Sequence, residues 1–553
     1  MAKKWIVAEK KSNNLIEQLL ANRKIKKEEQ SSFLNPDFQK GLHDPFLMKG
    51  MKEAVARIEA AILKKETVGV FGDYDADGIP GLALLYEVLT KLGLNVVPYI
   101  PSRSEGYGLN KEGIDFFIKE NVTLMVTVDL GIRSLEKVQY AKDHGINVIV
   151  TDHHEPGDKI PDCIIVNPKQ KLDKYPFREL SGCGVAFKLT QGLSKSNKVL
   201  SLNYLKWLMD LVAIATICDI VPLVDENRIF AKFGLIVLRK TRRIGLQKLY
   251  LVAGLDPEKI DTYTVGFQIG PRLNAPGRMD HANQSFYLLT SVDEKKAAEL
   301  AGSLDQINRR RQLELERVLK EAEEKVIEDG LNKNKVILVT GENWPHGIIG
   351  LVAGRLMEEY GRPVIVCEKR ENDYRGSARS IDAYNIVEAL EASKEYLTSY
   401  GGHAKAAGLI FEHKNIKDFY KRLLKIADEK LKDEDLVSKL KIDANIKSNE
   451  INQDLYDNLE KFEPFGLGNP RPVFAINEAE ISETKLVGQD NKHLKLKING
   501  IDAIGFDFGS LAQSINDSEA QVAFTLDENV WNNTTNLQLK ILDIKQNNEK
   551  STI

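Results

Sequence analysis

TVGVFGDYDADG (67–78), TLMVTVDLGI (123–132) and NVIVTDHHE (147–155) carry the reading of this chain's fold. Each is a short β-branched run that ends in acidic or imidazole side chains. LALLYEVLTKLG (82–93) and NVVPYI (95–100) lie between the first two. Strands alternating with amphipathic segments predict an α/β lobe built on a parallel, doubly wound sheet. In such a sheet the carboxyl ends of the strands converge on one crevice. Asp73, Asp75, Asp77, Asp129, Asp152, His153 and His154 are therefore expected in a single site. DLVAIATICDIVPL (210–223) adds Asp210 and Asp219 around an apolar helix, with Asp219 just before a turn that contains Pro222.

So many facing carboxylates stay ionised together only if cations neutralise them. Oxygen ligands with one imidazole suit Mn²⁺ or Mg²⁺ better than zinc. With Asp129 bridging, the set divides between two ions about 3.5–4 Å apart, the arrangement for in-line displacement at phosphorus. One ion would generate the attacking hydroxide and the other would stabilise the leaving oxygen. Blander readings compete. D-x-D-x-D-G also opens an EF-hand loop, but its twelfth position here is Leu84, and a strand precedes it where a helix should. Any one Asp after a strand could be a helix N-cap, and a lone histidine is more often a hydrogen-bonded core residue than a ligand. All of them together in those roles is improbable.

Outward from this lobe, 553 residues imply roughly two to four domains. The basic run Arg23–Lys27 in the polar, helix-prone first 50 residues reads as a solvated helix face. Residues 297–329 read as one long charged helix, with Leu304, Ile307, Leu315, Val318, Ala322 and Val326 on its apolar face and Gly330 as its stop. KVILVTG (335–341) and PVIVCEK (363–369) open a second α/β lobe. Beyond Pro464, short apolar runs separated by turn residues predict a small β-barrel. The expected domains are a helical extension (1–50), a catalytic lobe (51–290), a connecting helix (291–330), a second lobe (331–440), a barrel (441–545) and a disordered tail (546–553). A net charge of −3 excludes a global positive field for polyanions, so nucleic acid must be held by local clusters. The four cysteines lack C-x-x-C spacing, which argues against a zinc ribbon or disulfide framework and fits a reducing cytoplasm. No stretch approaches the length of a membrane span.

DYDADG, TVDLGI, TDHHE and Asp219 closely resemble the four motifs of the DHH phosphoesterase superfamily. PSRSEGYGL (101–109), LSGCGVAFKL (180–189), DIVPLVDENR (219–228) and GFQIGPRLNAPGRMDHA (266–282) are similar to its nuclease branch, the bacterial RecJ exonucleases. So are GSARS (376–380), SYGGHAKAAGL (399–409) and PFGLGNPRPVF (464–474), and the resemblance spans roughly 65–545. It implies a DHH lobe, a DHH-associated lobe and a C-terminal OB-fold. It also implies 5′-to-3′ hydrolysis of single-stranded DNA with Mn²⁺ or Mg²⁺ in recombination and repair. The ligands it implies are Asp73, Asp75, Asp77, Asp129, His153 and Asp219, with Asp73 the candidate for an outer position and His154 contacting the scissile phosphate or assisting proton transfer.

Arg272 and Arg278 lie in IGPRLNAPGR, so rich in Gly and Pro that it predicts a loop displaying both guanidinium groups for phosphate; Arg103 is a similar candidate. The resemblance adds Asn274. In the second lobe the resemblance to the DHH-associated domain implies that Ser377, Arg379, Gly401, Gly402 and His403 hold the strand and its 5′ phosphate, closing over DNA between the lobes; the alternative is that the glycines only make tight turns. Phe462, Phe465, Lys495 and Trp531 are possible strand contacts in the barrel, against a strong alternative in which most of these aromatics are barrel core, the reading favoured for Phe465. The chain departs from the family at Pro80-Gly81, where Thr-Ser is usual, and at Pro276, which interrupts LNAAGR; neither supplies a ligand. The family also implies a monomer working with a RecQ-type helicase and a single-strand-binding protein. Rival readings are a degrader of short oligonucleotides or nucleotide phosphatase, a pyrophosphatase, and a nuclease-dead scaffold.

Overall fold

The computed structural model describes residues 3–106, 108–512, 515, 520–531 and 534–546. Trp531's side chain and residues 547–553 of the expected tail lie outside the described residues. Backbone contacts divide the chain into two compact units: residues 5–274, 282–301 and 440–553 form one, and 1–4, 275–281 and 302–439 form the other.

The first unit is built on a five-stranded, wholly parallel sheet. Its strands lie in the spatial order Asn95–Tyr99, Thr67–Gly72, Leu124–Val128, Asn147–Thr151, Ile164–Val166. The β-branched residues of the strands Leu124–Val128 and Asn147–Thr151, with Val68 and Val70 beside them, are buried, as expected where helices cover both faces. The chain order reverses between Thr67–Gly72 and Leu124–Val128, which makes their carboxyl ends the switch point where a crevice opens. The backbone ladder continues one residue past each strand: Asp73 N–H donates to Val128 O at 3.3 Å, Asp129 N–H to Thr151 O at 3.0 Å and Asp152 N–H to Val166 O at 3.2 Å. The sheet itself thus fixes the spacing of the three acidic residues. Pro80 and Gly81 sit in the first turn of the Gly78–Lys91 helix, where a missing N–H costs nothing.

The same unit holds a seven-stranded C-terminal sheet in the order Ala444–Asn445, Phe474–Ala479, Ala520–Trp531, Thr534–Gln546, Ile501–Gly505, His493–Ile498, Ile481–Val487. Its apolar core takes in Leu19, Leu20 and Phe33 from the N-terminal segment. Phe465 is core, as expected, and so is Phe462, packed edge-on against Phe33 at 5.9 Å. Lys495 is exposed. Arg23 corrects the reading of a solvated basic face: its buried guanidinium donates to Asn469 Oδ1 at 2.7 Å and pairs with Asp443. Arg228 donates to the carbonyls of Phe33, Phe462 and Lys461. Arginine's planar fork satisfies several buried carbonyls at once, and here it clamps the segment entering the sheet.

A second correction concerns IGPRLNAPGR. Gly270–Met279 is helical, preceded by a π-helical turn at Val265–Ile269. Local composition loses to packing there: Leu273 is fully buried, and its carbonyl accepts a hydrogen bond from Ser285 Oγ at 2.7 Å.

In the second unit a five-stranded sheet runs Ser399–His403, Ala406–Glu412, Asp373–Arg379, Val364–Lys369, Ile337–Glu342. The helix Glu294–Glu328 shares its residues between the two units, and Gly330 follows it at φ 65°. Val318, Ala322 and Val326 bury their side chains with Ile337, Val339 and Trp344, the stripe read from the sequence. No helix among the described residues is long and apolar enough to cross a membrane.

Candidate metal centre

Four motifs deliver their side chains to one place. Asp77 lies against the start of the Gly182–Ser194 helix, where Gly182 N–H donates to its Oδ2 at 2.6 Å and Cys183 N–H to its Oδ1 at 2.8 Å. Unpaired N–H groups at a helix start favour a negative charge. Asp75 Oδ1 accepts from the N–H groups of Asp77 and Gly78, which ties one of its oxygens to the turn ahead of the helix, whose N-cap is Asp77 with no side-chain cap bond. Asp73 Oδ1 accepts from Tyr74 N–H at 2.8 Å.

Asp129 stands at φ 65°, a left-handed conformation that Asp tolerates better than most residues. This turns its carboxylate toward the helix start: a Cβ on Gly182 would lie 2.5 Å from Asp129 Cβ and 2.7 Å from its Oδ1. Only glycine permits that approach. Asp129 Oδ1 is buried and has no hydrogen-bond partner. An orphaned carboxylate oxygen is costly inside a protein, and a cation is the partner that fits it.

His153 Nε2 lies 3.1 Å from Asp129 Oδ1, 3.7 Å from Asp219 Oδ2 and 3.8 Å from Asp77 Oδ2. Its Nδ1–H donates to Leu180 O at 2.9 Å, which leaves the Nε2 lone pair facing the carboxylates. Burial, with His154 adjoining, pushes its pKa down to about 3 and keeps the ring neutral, the form a ligand needs. For His154 burial acts the same way, but the hydrogen bond and charge of Asp152 prevail and raise its pKa. Its Nδ1–H donates to Asp152 Oδ1 at 2.7 Å. Asp152 also accepts from the N–H groups of Ile132, His153 and His154. It therefore orients an imidazole and has no oxygen to spare.

Three sets of candidate ligand atoms arise among the described residues: Asp77, His153 and Asp219; Asp73, Asp75 and Asp129; and Asp129, His153 and His154, each within 4.8 Å of one another. Burial first, and neighbouring carboxylates second, raise the pKa of Asp73, Asp129 and Asp219, and push that of Asp77 up to about 7. This is the frustration expected of an acidic cluster built around cations. Asp210 takes no part. It pairs with buried Arg243 at 2.9 Å, and Arg243 also binds Glu87.

Three family models match in chain order: the DHH family N-terminal domain over residues 67–216, the DHHA1 domain over 332–433 and the RecJ OB domain over 442–543. The single-stranded-DNA-specific exonuclease RecJ of Bacillus subtilis is 38% identical over 539 residues, which cover 96% of this chain and 67% of that protein. Its counterpart from Haemophilus influenzae is 34% identical over 529 residues, 91% of this chain and 92% of that one. The chain belongs to the RecJ family. RecJ of Thermus thermophilus, solved in complex with Mn²⁺, matches with a TM-score of 0.85 at 29% identity, covering 98% of this chain and 79% of that chain. Its complex with Mg²⁺ gives 0.78 at 27% identity over 98% and 78%.

The remaining RecJ-family motifs fall into two groups. In the first unit, Arg103 stacks over the Tyr74 ring at 4.5 Å and is held near Asp73. Asn274 Oδ1 accepts from Ala76 N–H at 2.8 Å, so its carboxamide shapes the acidic loop itself. Arg272 donates to Gln268 O in the π-helical turn just ahead of its helix.

In the second unit, strand pairing sets Arg379 opposite Ala406 and Ala406 opposite His403, with Ser377, Gly408 and Gly401 in the adjoining row. Directly opposed residues share a face, which assembles one polar surface from two motifs. Gly402 lies between the two rows, at φ 148°. A Cβ on Gly350 would lie 2.9 Å from Ser377 Oγ and 3.2 Å from Arg379 Nη2, so the His346–Tyr360 helix approaches this surface. Arg278 Nη1 donates to Gly347 O at 3.2 Å near the same helix start. The sequence reading passed over that element; its signal was the Pro-His-Gly run at 345–347 ahead of an apolar segment.

Proposed function

We propose that this chain is a 5′-to-3′ exonuclease of single-stranded DNA that uses two divalent cations, Mn²⁺ or Mg²⁺. The observation that carries the reading is Asp129 Oδ1, orphaned and buried within a ring of carboxylates and a neutral imidazole. Asp77, His153 and Asp219 would hold one ion and Asp73 and Asp75 the other, with Asp129 between them. Cations bound there supply charge neutralisation at the phosphate and activation of water.

The chain's own groups do the rest. The Gly182–Ser194 helix start orients Asp77, Leu180 O orients His153, and Asp152 keeps a proton on His154. His154, whose pKa the hydrogen bond and charge of Asp152 raise against the effect of burial, is placed to hold a phosphate oxygen or pass it a proton. Arg103, Arg272, Arg278, Ser377, Arg379, Gly401, Gly402 and His403 are the proposed contacts to the strand and its 5′ phosphate, and Asn274 supports the ligand loop. A strand-separating helicase of the RecQ type and a single-strand-binding protein are the proposed partners, since the substrate must first be unpaired. Recombination and repair in the cytoplasm are the proposed setting.

The purified protein with Mn²⁺ should shorten single-stranded DNA from its 5′ end and leave blunt duplex intact, read from 5′- and 3′-labelled strands. Equal digestion of both forms, or attack on dinucleotides alone, would refute the assignment.

A further inference from the structure

Four large apolar side chains stand in solvent around the turn that carries Asp219. Ile220 is 66% exposed, Tyr263 60%, Phe267 65% and Leu467 55%. Scattered exposed apolar residues are ordinary. These, however, lie on segments fastened to one turn. Cys218 Sγ donates to Val265 O at 3.7 Å, which seats the π-helical turn Val265–Ile269 beside Asp219. From the C-terminal segment, Leu467 O accepts from Leu223 N–H at 2.7 Å.

Two backbone features mark the same place. Ile220 sits at φ 58°, a conformation a β-branched residue takes only when its surroundings impose it. The π-helical turn is a rare element that occurs disproportionately at functional sites. Together with the short helix Thr262–Thr264 ahead of it, it presents an aromatic pair: the Tyr263 and Phe267 rings stack with centroids 4.9 Å apart and planes 25° from parallel. Arg272 follows in the next helical turn, its guanidinium folded back to Gln268 O at 2.8 Å. Exposed aromatic faces, a neighbouring guanidinium and an adjacent phosphate-directed centre are the components of a surface for unpaired nucleobases. Every base has a π face, so such a surface holds a strand without reading its sequence.

We propose that the Tyr263–Phe267 pair, flanked by Ile220 and Leu467, is a stacking platform for the unpaired bases of the strand cut beside it. The proposal rests on the exonuclease reading above. It assigns the platform to substrate affinity and to the need for intact bases.

The test uses 5′-phosphorylated strands carrying a single abasic site moved along the chain, with kcat and KM measured for the full protein with Mn²⁺. In the wild type, an abasic site at one position should raise KM about tenfold, as loss of one stacked base does. Tyr263→Ala/Phe267→Ala should raise KM for the ordinary strand about tenfold, respond to no abasic position and retain kcat. Tyr263→Phe should behave as the wild type. Phe267→Leu, which keeps bulk without a ring, should lose the abasic response. A 2-aminopurine base at the responsive position, followed before the first turnover, should be quenched by the wild type and not by the double variant. A double variant that still senses the abasic site, or one that loses ordinary and abasic strands equally, would overturn the platform and leave a packing or protein-docking surface. A wild type that does not cut single-stranded DNA at all would sink the underlying reading instead.

Discussion

Gly182→Ala is the sharpest test of the metal centre, because it changes no ligand and only adds one methyl group. That carbon would lie 2.5 Å from Asp129 Cβ and 2.7 Å from its Oδ1. Carbon atoms in contact rest about 3.5–4.0 Å apart, so the helix start and Asp129 must separate by roughly 1 Å. The helix start is held by its hydrogen bonds to Asp77, and Asp129 is tied through its own N–H to Thr151 O at 3.0 Å. Asp129 Cα would also lie only 2.8 Å from the added carbon, so rotating the carboxylate gives no relief: the backbone of Asp129 or of the helix start must shift, and the carboxylate is displaced relative to its partners. Misplacing an aligned group by about 1 Å costs on the order of 100-fold in rate, and overpacking a filled core costs about 1–3 kcal/mol in stability. The assay is Mn²⁺ titration calorimetry alongside initial rates on a 5′-labelled strand, with circular dichroism to confirm folding. Gly184→Ala is the control on the same helix, since its added carbon meets Ser181 Oγ at an ordinary 3.4 Å. A folded Gly182→Ala protein with unaltered Mn²⁺ affinity and rate would refute the assignment of Asp129.

Other outcomes follow from the same geometry. In the metal-free protein Asp77 titrates near 7 instead of 3.8, through burial and the charge of Asp75. The folded state then holds a proton that the unfolded state has released, so this group's contribution to stability falls as pH rises from about 4 to about 7. Mn²⁺ binds the ionised site and stabilises by mass action, so the gap between melting temperatures in Mn²⁺ and in EDTA should widen across that window; a constant gap would refute this. Asp152→Asn should cut activity roughly 10- to 100-fold through His154 and lower the pKa of that ring, measured by NMR on the metal-free protein. Asp210→Ala should cost about 3 kcal/mol by leaving Arg243 short of a buried partner, seen in urea unfolding, while Mn²⁺ affinity stays unchanged.

Much of the fold was legible because the signals were local and repeated. Strand runs ending in Asp73, Asp129 and Asp152 named a parallel sheet and the end of it where the site lies. The 3.6-residue stripe of Val318, Ala322 and Val326 marked the long helix. Side-chain chemistry then reduced the ligand candidates to a short set, and the structure brings that set together around His153. Arg23 and the IGPRLNAPGR segment were misread, and Phe462 was open between core and contact, because each is governed by residues far away in the chain: Asn469 and Asp443, Ser285, and Phe33.

The amino-acid sequence by itself determined which side chains are available for metal and phosphate and which strand ends present them, since β-branched periodicity and motif spacing are properties of short stretches. Only the tertiary structure decided that Asp152 orients where Asp129 is left unpaired, that Asn274 supports a loop about two hundred residues earlier, and that Asp129 and Ile220 adopt left-handed backbone conformations. The reason is physical: a hydrogen-bond partner, a close approach at Gly182 or a strained φ is set by whatever the fold packs alongside, and local sequence holds no record of that neighbour.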